Sequence, residues 1–418
     1  ADMDVTRATA ATRVDENGLV NYAEVIGGEL AICGDFECAS PLTDWTVNSD
    51  GAISIDSGKL KVLNVTNRGR AYRTYTGLTI GKTYEVFVGN TSGNVTGFSH
   101  ITSGTSFNNI TLNAPFFFVA GATTAAFECG VNSTIIDRFT FFDDISLKEN
   151  ARDNVPRIDY TGGGCPHILA EPQRTNLILN SEPITNEGAA ANITYESFSW
   201  AIGFNNCVEF GDNSVARYWY GSSVTSGTEY TLSAYILMDD NSEPVVSNDI
   251  SSGDFSLNIG NAIGGGTINA SVSMGNNIWR VSKTKVSTQT TSNNGVLKYT
   301  TQSSKGFKVV GLQMEVGSYP TSYIPTSGST VTRNQDIFSR DGIGSLINST
   351  EGVLFLEIAA FVNDSSSRYI GLTDGNSNNR VVILYYSNND RIRVLLSSGG
   401  TKYFDEYYTV TSLVDFHK

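Results

Sequence analysis

Two-residue alternation of apolar and polar positions dominates this chain. In GKTYEVFVGN the residues Tyr84, Val86 and Val88 alternate with Thr83, Glu85 and Phe87, the period of a strand with one buried face. SGTEYTLSAYIL repeats the logic, with Tyr230, Leu232, Ala234 and Ile236 on one face. Near the C-terminus GVLFLEIAAFV, RYIGLTDG, RVVILYYS and DRIRVLLSS follow in quick succession. There Leu354, Leu356, Ile358 and Ala360 are expected to share a buried face, and Ile392, Val394 and Leu396 another. Glycine-bearing turns such as Ser49 to Gly51 and Ser57 to Gly58 punctuate the runs, as strand connections require. The pattern predicts an all-β chain with several separate sandwiches.

One stretch interrupts it. NVPRIDYTGGGCPHILAEPQRTNLILNSE, Asn154 to Glu182, holds or adjoins Pro156, Pro166, Pro172 and Pro183, four of the nine prolines. Proline fixes φ and removes a backbone donor, so this run reads as an extended connector between β blocks. Composition agrees: charged residues are 17% against roughly 25% for an average soluble protein, and Gly, Ser, Thr and Asn replace them. With 418 residues the chain has room for two to four domains.

The net charge of −14 and the lack of Lys/Arg clusters exclude a nucleic-acid binder, which needs cations against phosphate. No apolar run approaches the roughly 20 residues that span a bilayer, so membrane insertion is not expected. The five cysteines, Cys33, Cys38, Cys129, Cys165 and Cys207, read as buried free thiols of a protein made in a reducing compartment. A bridge between Cys33 and Cys38 stays open. His100, His167 and His417 lie far apart and outside any metal-binding spacing. There is no nucleophile elbow, phosphate loop or dinucleotide fingerprint, so no catalytic residue is assigned.

PRIDY, a glycine turn and LAEPQRTNL together resemble a segment of bacteriophage tail-fibre, spike and head-decoration proteins. GLQMEVGSYPTSYIPTSGSTVTR is similar to a string that ends a domain in many phage structural proteins. The block from Gly28 opens with GDFECASPLTDWTV and closes with DRFTFFDDISLKE. These ends resemble carbohydrate-binding modules of families four and nine, which are galactose-binding-like jelly rolls. The sequence after Asn334 is similar to concanavalin-like or laminin-G sandwiches. The resemblances imply a fold of tandem jelly-roll β-sandwiches joined by extended connectors, in this order: residues 1–27 form a lead-in, and 28–150 an inserted galactose-binding-like sandwich. Residues 151–173 form a connector pairing with the lead-in, 174–326 a second sandwich, and 327–418 the start of a third that is expected to be incomplete.

The function implied is a non-enzymatic structural protein on the exterior of a phage virion, as a tail or head fibre, spike or decoration. It would contact other virion proteins, form a homo-oligomer with a trimer expected, and present glycan-binding modules to the host surface. Two alternatives remain: a secreted bacterial adhesin or the carbohydrate-binding portion of a polysaccharide-degrading enzyme, and a purely architectural virion protein. Sugar rings stack on Trp or Tyr, so the candidates are Trp45, Tyr72 and Tyr75 in the first sandwich. Tyr218, Trp219 and Tyr220 of ARYWYGSS, with Trp200, are those in the second. Each has a competing reading as an inward core residue. The resemblance also implies a structural calcium tying first and last strands through Glu37, Asp143 and Asp144, oxygen ligands of the kind Ca²⁺ takes. Exposed turn acids that hold no metal are the competing reading.

Overall fold

A computed structural model describes residues 4–163, 165–182, 189–348, 350–360, 367–386 and 390–413. Among them regular structure is β-strand, apart from one 3-10 turn at Ile343–Leu346, so the chain is all-β as the alternation predicts. No helix among these residues is long and apolar enough to cross a membrane. Two compact units divide the chain: one joins Thr6–Ala10 to Tyr22–Pro156, the other comprises Ala1–Val5, Ala11–Asn21 and Arg157–Lys418.

The first unit is a two-sheet sandwich. Its strands are β1 (Val25–Glu29), β2 (Thr46–Val47), β3 (Gly51–Asp56), β4 (Lys59–Asn64), β5 (Arg70–Thr76), β6 (Thr83–Ser92), β7 (Gly97–Ser103), β8 (Ser106–Asn109), β9 (Phe116–Val119), β10 (Thr124–Val131) and β11 (Phe139–Ala151). One sheet runs β9-β6-β11-β4-β3, with β1 pairing to β11, and the other β8-β7-β10-β5-β2. Tyr84, Val86 and Val88 of β6 point inward with Leu60, Val62, Phe127, Phe142 and Leu147. Burying side chains of this size contributes about 1.5–3 kcal/mol each. Cys33 and Cys38 form a disulfide, the bridge that the sequence leaves open. Cys129 and Cys207 are buried thiols and Cys165 is an exposed one.

The second unit contains another sandwich. Its strands are β12 (Ala189–Ala191), β13 (Thr194–Ser197), β14 (Asn206–Phe210), β15 (Arg217–Tyr220), β16 (Glu229–Met238), β17 (Ser256–Asn258), β18 (Thr267–Ile268), β19 (Val272–Ser273), β20 (Ile278–Val286), β21 (Gly295–Lys298) and β22 (Phe307–Val316). The sheets run β12-β15-β21-β17 and β13-β14-β22-β16-β20-β18, with β19 on β20. Leu232, Ala234 and Ile236 of β16 enter the core between the sheets. Tyr235 faces the other way, into a second cluster with Trp200, Phe204, Val310 and Tyr323.

Beside that second cluster, the phrases PRIDY, EPQ and VTRNQD converge on one buried polar knot. Arg157 Nη1 donates to Glu171 Oε2 at 2.7 Å, and Arg333 Nη1 lies 2.8 Å from the same oxygen. Arg157 Nη2 donates to Asp336 Oδ2, which also accepts the Glu171 N–H at 3.0 Å. Ser322 donates to Glu171 through both its N–H (2.8 Å) and its hydroxyl (2.6 Å). The lead-in joins in, with Arg157 donating to the Thr12 carbonyl and the Val14 N–H to Asp159 Oδ1. All four charged side chains are at most 2% exposed.

A four-stranded meander follows: β23 (Arg368–Thr373), β24 (Arg380–Tyr386), β25 (Arg391–Ser398) and β26 (Thr401–Thr409), paired in that order. One expectation holds here and another changes. GVLFLEIAAFV forms no named strand among its described residues, yet its parity holds: Leu354, Leu356 and Ile358 are half-buried and Ala360 is buried beside Tyr385 and Leu413, whereas Val353 and Phe355 are 94% and 68% exposed. On β25 the most buried residue is Leu395, while Leu396 is 40% exposed and Ile392 is half-buried against Ala360, Tyr385 and Leu413. Asp374 and Asn376 sit in the polar β23–β24 turn, bonded to Asn379 and to backbone N–H groups.

Two predictions concern the knot. Arg157→Met leaves Glu171 and Asp336 buried beside a lost cation and is expected to cost about 3–5 kcal/mol, read from urea unfolding. The second is a pH dependence. Burial alone would raise the Glu171 pKa, but Arg333, Arg157 and the Ser322 hydroxyl outweigh it and hold the group at about 2. A folded value below the free one of roughly 4.3 means stability present above the free value and lost as pH falls toward 2, on the order of 3 kcal/mol in all. Unfolding midpoints measured from pH 6 to pH 2.5 should show that decline, and Glu171→Gln should flatten it.

Candidate functional site: the open face of the five-stranded sheet

In β7 the inward residues are Ser99, Ile101 and Ser103, which leaves Phe98, His100 and Thr102 on the solvent side. In β10 the inward set is Ala125, Phe127, Cys129 and Val131, so Ala126, Glu128 and Gly130 face out. In β5 Ala71 and Tyr75 face in, and Arg70, Tyr72 and Thr74 face out. Register aligns Asn109, His100, Glu128, Tyr72 and Thr46 in one row across all five strands, about 19 Å at the usual strand spacing. A neighbouring row holds Phe98, Gly130 and Arg70.

Aromatic rings concentrate at one end of this face. The His100 ring lies 5.1 Å from Phe98 and 4.8 Å from Phe107 of β8, and Phe107 is 60% exposed. A Cβ on Gly130 would stand 2.8 Å from the Phe98 ring, so the glycine is what lets the ring lie across β10. Arg70 Nη1 donates to Glu128 Oε1 at 3.1 Å and stands over Phe98 at 5.8 Å. Exposed rings beside paired hydrogen-bonding groups are the chemistry that holds a sugar: the rings cover its apolar face and the polar groups meet its hydroxyls.

Of the residues singled out from sequence, Tyr72 is on this face. Trp45 and Tyr75 are in the core, where Trp45 packs on Phe36 at 5.8 Å and on Phe127 at 6.0 Å, and Tyr75 on Phe127 at 5.9 Å. Trp219 is buried in the second sandwich, and Trp200 donates its indole N–H to the Asn206 carbonyl. Tyr218 is half-buried on β15; the side chain of Tyr220 lies outside the described residues. Sequence reasoning missed Phe98, His100, Phe107, Arg70 and Glu128. The usable signal was GFSHITS, whose alternation puts Phe98 and His100 on the same side.

Glu37, Asp143 and Asp144 do not form an oxygen cage for calcium. Asp143 Oδ2 accepts from Lys59 Nζ at 2.8 Å, Asp144 is exposed, and Glu37 lies against Gly58. No group of three or more His, Cys, Asp or Glu is placed to hold a metal among the described residues. The first and last strands are tied by Glu29 instead. Its carboxylate accepts from the Leu147 N–H (2.8 Å), the Ala31 N–H (2.8 Å) and the Ser146 hydroxyl (2.6 Å). Burial opposes ionisation of Glu29, but these donors with Lys148 hold its pKa below the usual carboxylate value.

No protein-family model matches the chain, and no curated protein does. Among solved structures it is similar to the N-terminal CBM22-1–CBM22-2 tandem domain of Paenibacillus barcinonensis Xyn10C, at 10% identity and TM-score 0.23, covering 70% of this chain and 98% of that one. It is also similar to the M60 catalytic domain with the CBM51-1 and CBM51-2 domains of Clostridium perfringens ZmpB, at 9% identity and TM-score 0.18, covering 79% of this chain and 43% of that one. Overlap this loose transfers no property to the chain.

Gly130→Ala tests the packing of the face. The new Cβ meets the Phe98 ring and the Gly69 carbonyl, both at 2.8 Å, so a loss of about 1–3 kcal/mol is expected. Thr102→Ala on the same face should be neutral, with both read by thermal unfolding.

Proposed function

We propose that this chain is a non-catalytic glycan-binding protein whose platform is the open face of the five-stranded sheet. The observation that carries this is the outward-facing cluster of half-buried Phe98 and His100 with exposed Phe107, beside the Arg70–Glu128 pair and Tyr72. Aromatic residues at such positions on a sheet are ordinarily turned inward. The finer reading places the module on the exterior of a phage particle, as a homotrimer attached to other virion proteins. It is supported by the PRIDY and EPQRTNL strings, whose Arg157 and Glu171 build the buried knot of the second unit.

A second reading, a secreted adhesin or the binding portion of a polysaccharide-degrading enzyme, is favoured by the Cys33–Cys38 disulfide. Disulfides persist in exported proteins and are rare in those kept in reducing compartments. Both readings use the same face.

The test is a glycan array probed with the whole chain. Phe107→Ala and Tyr72→Ala should each weaken binding about tenfold, the loss of roughly one ring contact, with the unfolding temperature unchanged. Trp45→Ala should lower the unfolding temperature. An array that stays blank for the assembled protein sinks the platform and leaves a purely architectural role.

A further inference from the structure

The disulfide loop of the first sandwich reaches the core between the two sheets through Phe36. Cys33 and Cys38 are bridged across five positions, and the loop holds two non-glycine residues in the left-handed region, Cys33 at φ 62 and Phe36 at φ 55. L-residues adopt that region only when their surroundings impose it. The loop inserts Phe36, 2% exposed, into the core, where its ring meets Trp45 at 5.8 Å. Trp45 then rests edge-on against Phe127 at 6.0 Å and under Arg73 at 5.9 Å. Its indole N–H is buried without a hydrogen-bond partner, so the ring is positioned by packing, while its backbone N–H donates to the Leu42 carbonyl at 3.1 Å. The next residue begins β2, the two-residue edge strand whose Thr46 pairs with Tyr72 on the platform.

The start of the loop has its own anchor. The Gly34 carbonyl accepts from the Ile145 N–H at 2.9 Å, and a Cβ on Gly34 would fall 1.7 Å from the Ile145 carbonyl oxygen. Beyond that anchor the part of the loop that bears Phe36 is held by the bridge, by the Phe36 N–H donating to the Cys33 carbonyl at 3.3 Å and by the packing of its ring on Trp45.

We propose that the Cys33–Cys38 disulfide is a redox-controlled support for edge strand β2 and, through its pairing with Tyr72, for that end of the platform. The consequence for ligand binding rests on the glycan reading of the face; the consequence for β2 does not. The step is thiol–disulfide exchange with a dithiol reductant. One thiolate of the reductant attacks a protein sulfur and forms a mixed disulfide, and its second thiolate displaces that sulfur. The two cysteines gain two electrons and two protons while the reductant leaves as a cyclic disulfide. Cys38 is exposed and reachable. Cys129, the other thiol of this unit, is fully buried. Burial and the Glu128 charge push its pKa well above the usual thiol value, which keeps it out of the exchange.

The experiment uses the full chain before and after dithiothreitol, with iodoacetamide and mass spectrometry to verify that both cysteines are reduced. Amide hydrogen exchange at Trp45, Thr46 and Val47 is expected to quicken about tenfold on reduction, and equally in the Cys33→Ser/Cys38→Ser double variant, with β16 unchanged. Should that variant fail to fold, the time course of reducing the native chain supplies the same comparison. Unchanged exchange at β2 with both cysteines alkylated overturns the support role. Equal glycan-array binding in both redox states overturns control of the platform. Binding in neither state overturns the glycan reading, and β2 exchange then decides the support role alone.

Discussion

The second unit depends on how Arg157, Arg333, Glu171 and Asp336 share one buried volume. Two guanidinium groups and two carboxylates cancel in charge, and Ser322 donates its N–H to the Glu171 Oε1 that the arginines leave and its hydroxyl to the Oε2 that they share. Removing such ions from water costs several kcal/mol each, so the set is not a large source of net stability. What it supplies is uniqueness of arrangement. Each member comes from a segment with little or no regular pairing of its own: the connector gives Arg157 and Glu171, and the stretch after β22 gives Ser322, Arg333 and Asp336. A register shift in any of them strands a buried charge, and that penalty acts together with the burial of Leu169, Tyr323 and Ile324 to hold these segments in place.

The first unit solves its closure differently. Glu29 meets the last strand through the Leu147 N–H and the Ser146 hydroxyl, a single carboxylate ending β1 and clamping β11. Its two sheets then divide their aromatics by parity. Residues on the inner parity, such as Phe127 and Tyr75, build the core, and the outer parity of β7 and β8 carries Phe98, His100 and Phe107. The platform is therefore a consequence of register: shifting β7 by one residue would put Ile101 in solvent and His100 among the core hydrophobics.

All-β architecture was legible because GKTYEVFV has one clean apolar parity, and its Tyr84, Val86 and Val88 are indeed buried. EYTLSAYIL was harder, since β16 is covered on both faces and Tyr235 serves a second cluster. The site was less legible still. Trp45 precedes a strand of only two residues, too short to show parity, and Trp219 is a buried ring flanked by two tyrosines. Phe98 is explained only by Gly130, which faces it across two strands and 32 residues of chain. The ionic knot joins partners 14 to 179 residues apart, and no local pattern announces that. GVLFLEIAAFV is a different case: its alternation survives in the burial of Leu354, Leu356, Ile358 and Ala360, with the Ala360 N–H donating to the Leu413 carbonyl at 2.9 Å, but among the described residues it joins no ladder.

Buried cations elsewhere in the second unit show why the knot needs its carboxylates. Lys283 Nζ donates to the Leu257 carbonyl at 3.1 Å and to that of Ile263, and Lys298 donates to the carbonyls of Asp254, Ser303 and Lys305 at 3.0, 2.8 and 2.8 Å. Neutral carbonyls satisfy the geometry of an ammonium but do not offset its loss of hydration. Burial, with Lys285 nearby, accordingly pulls Lys283 down to about 8, and burial lowers Lys298 despite Asp254. At Glu171 the opposing charges win and ionisation is favoured; at the lysines burial wins and it is disfavoured. Linkage then runs in opposite senses: the Glu171 contribution fades as pH falls, whereas the Lys283 penalty is present at neutral pH and fades as pH rises from 8 toward the free lysine value of about 10.4. A knot made of arginine and carbonyls alone would carry that penalty at every pH, because arginine does not shed its proton. Glu171 and Asp336 are thus the residues that make two buried arginines tolerable in the frame of this fold.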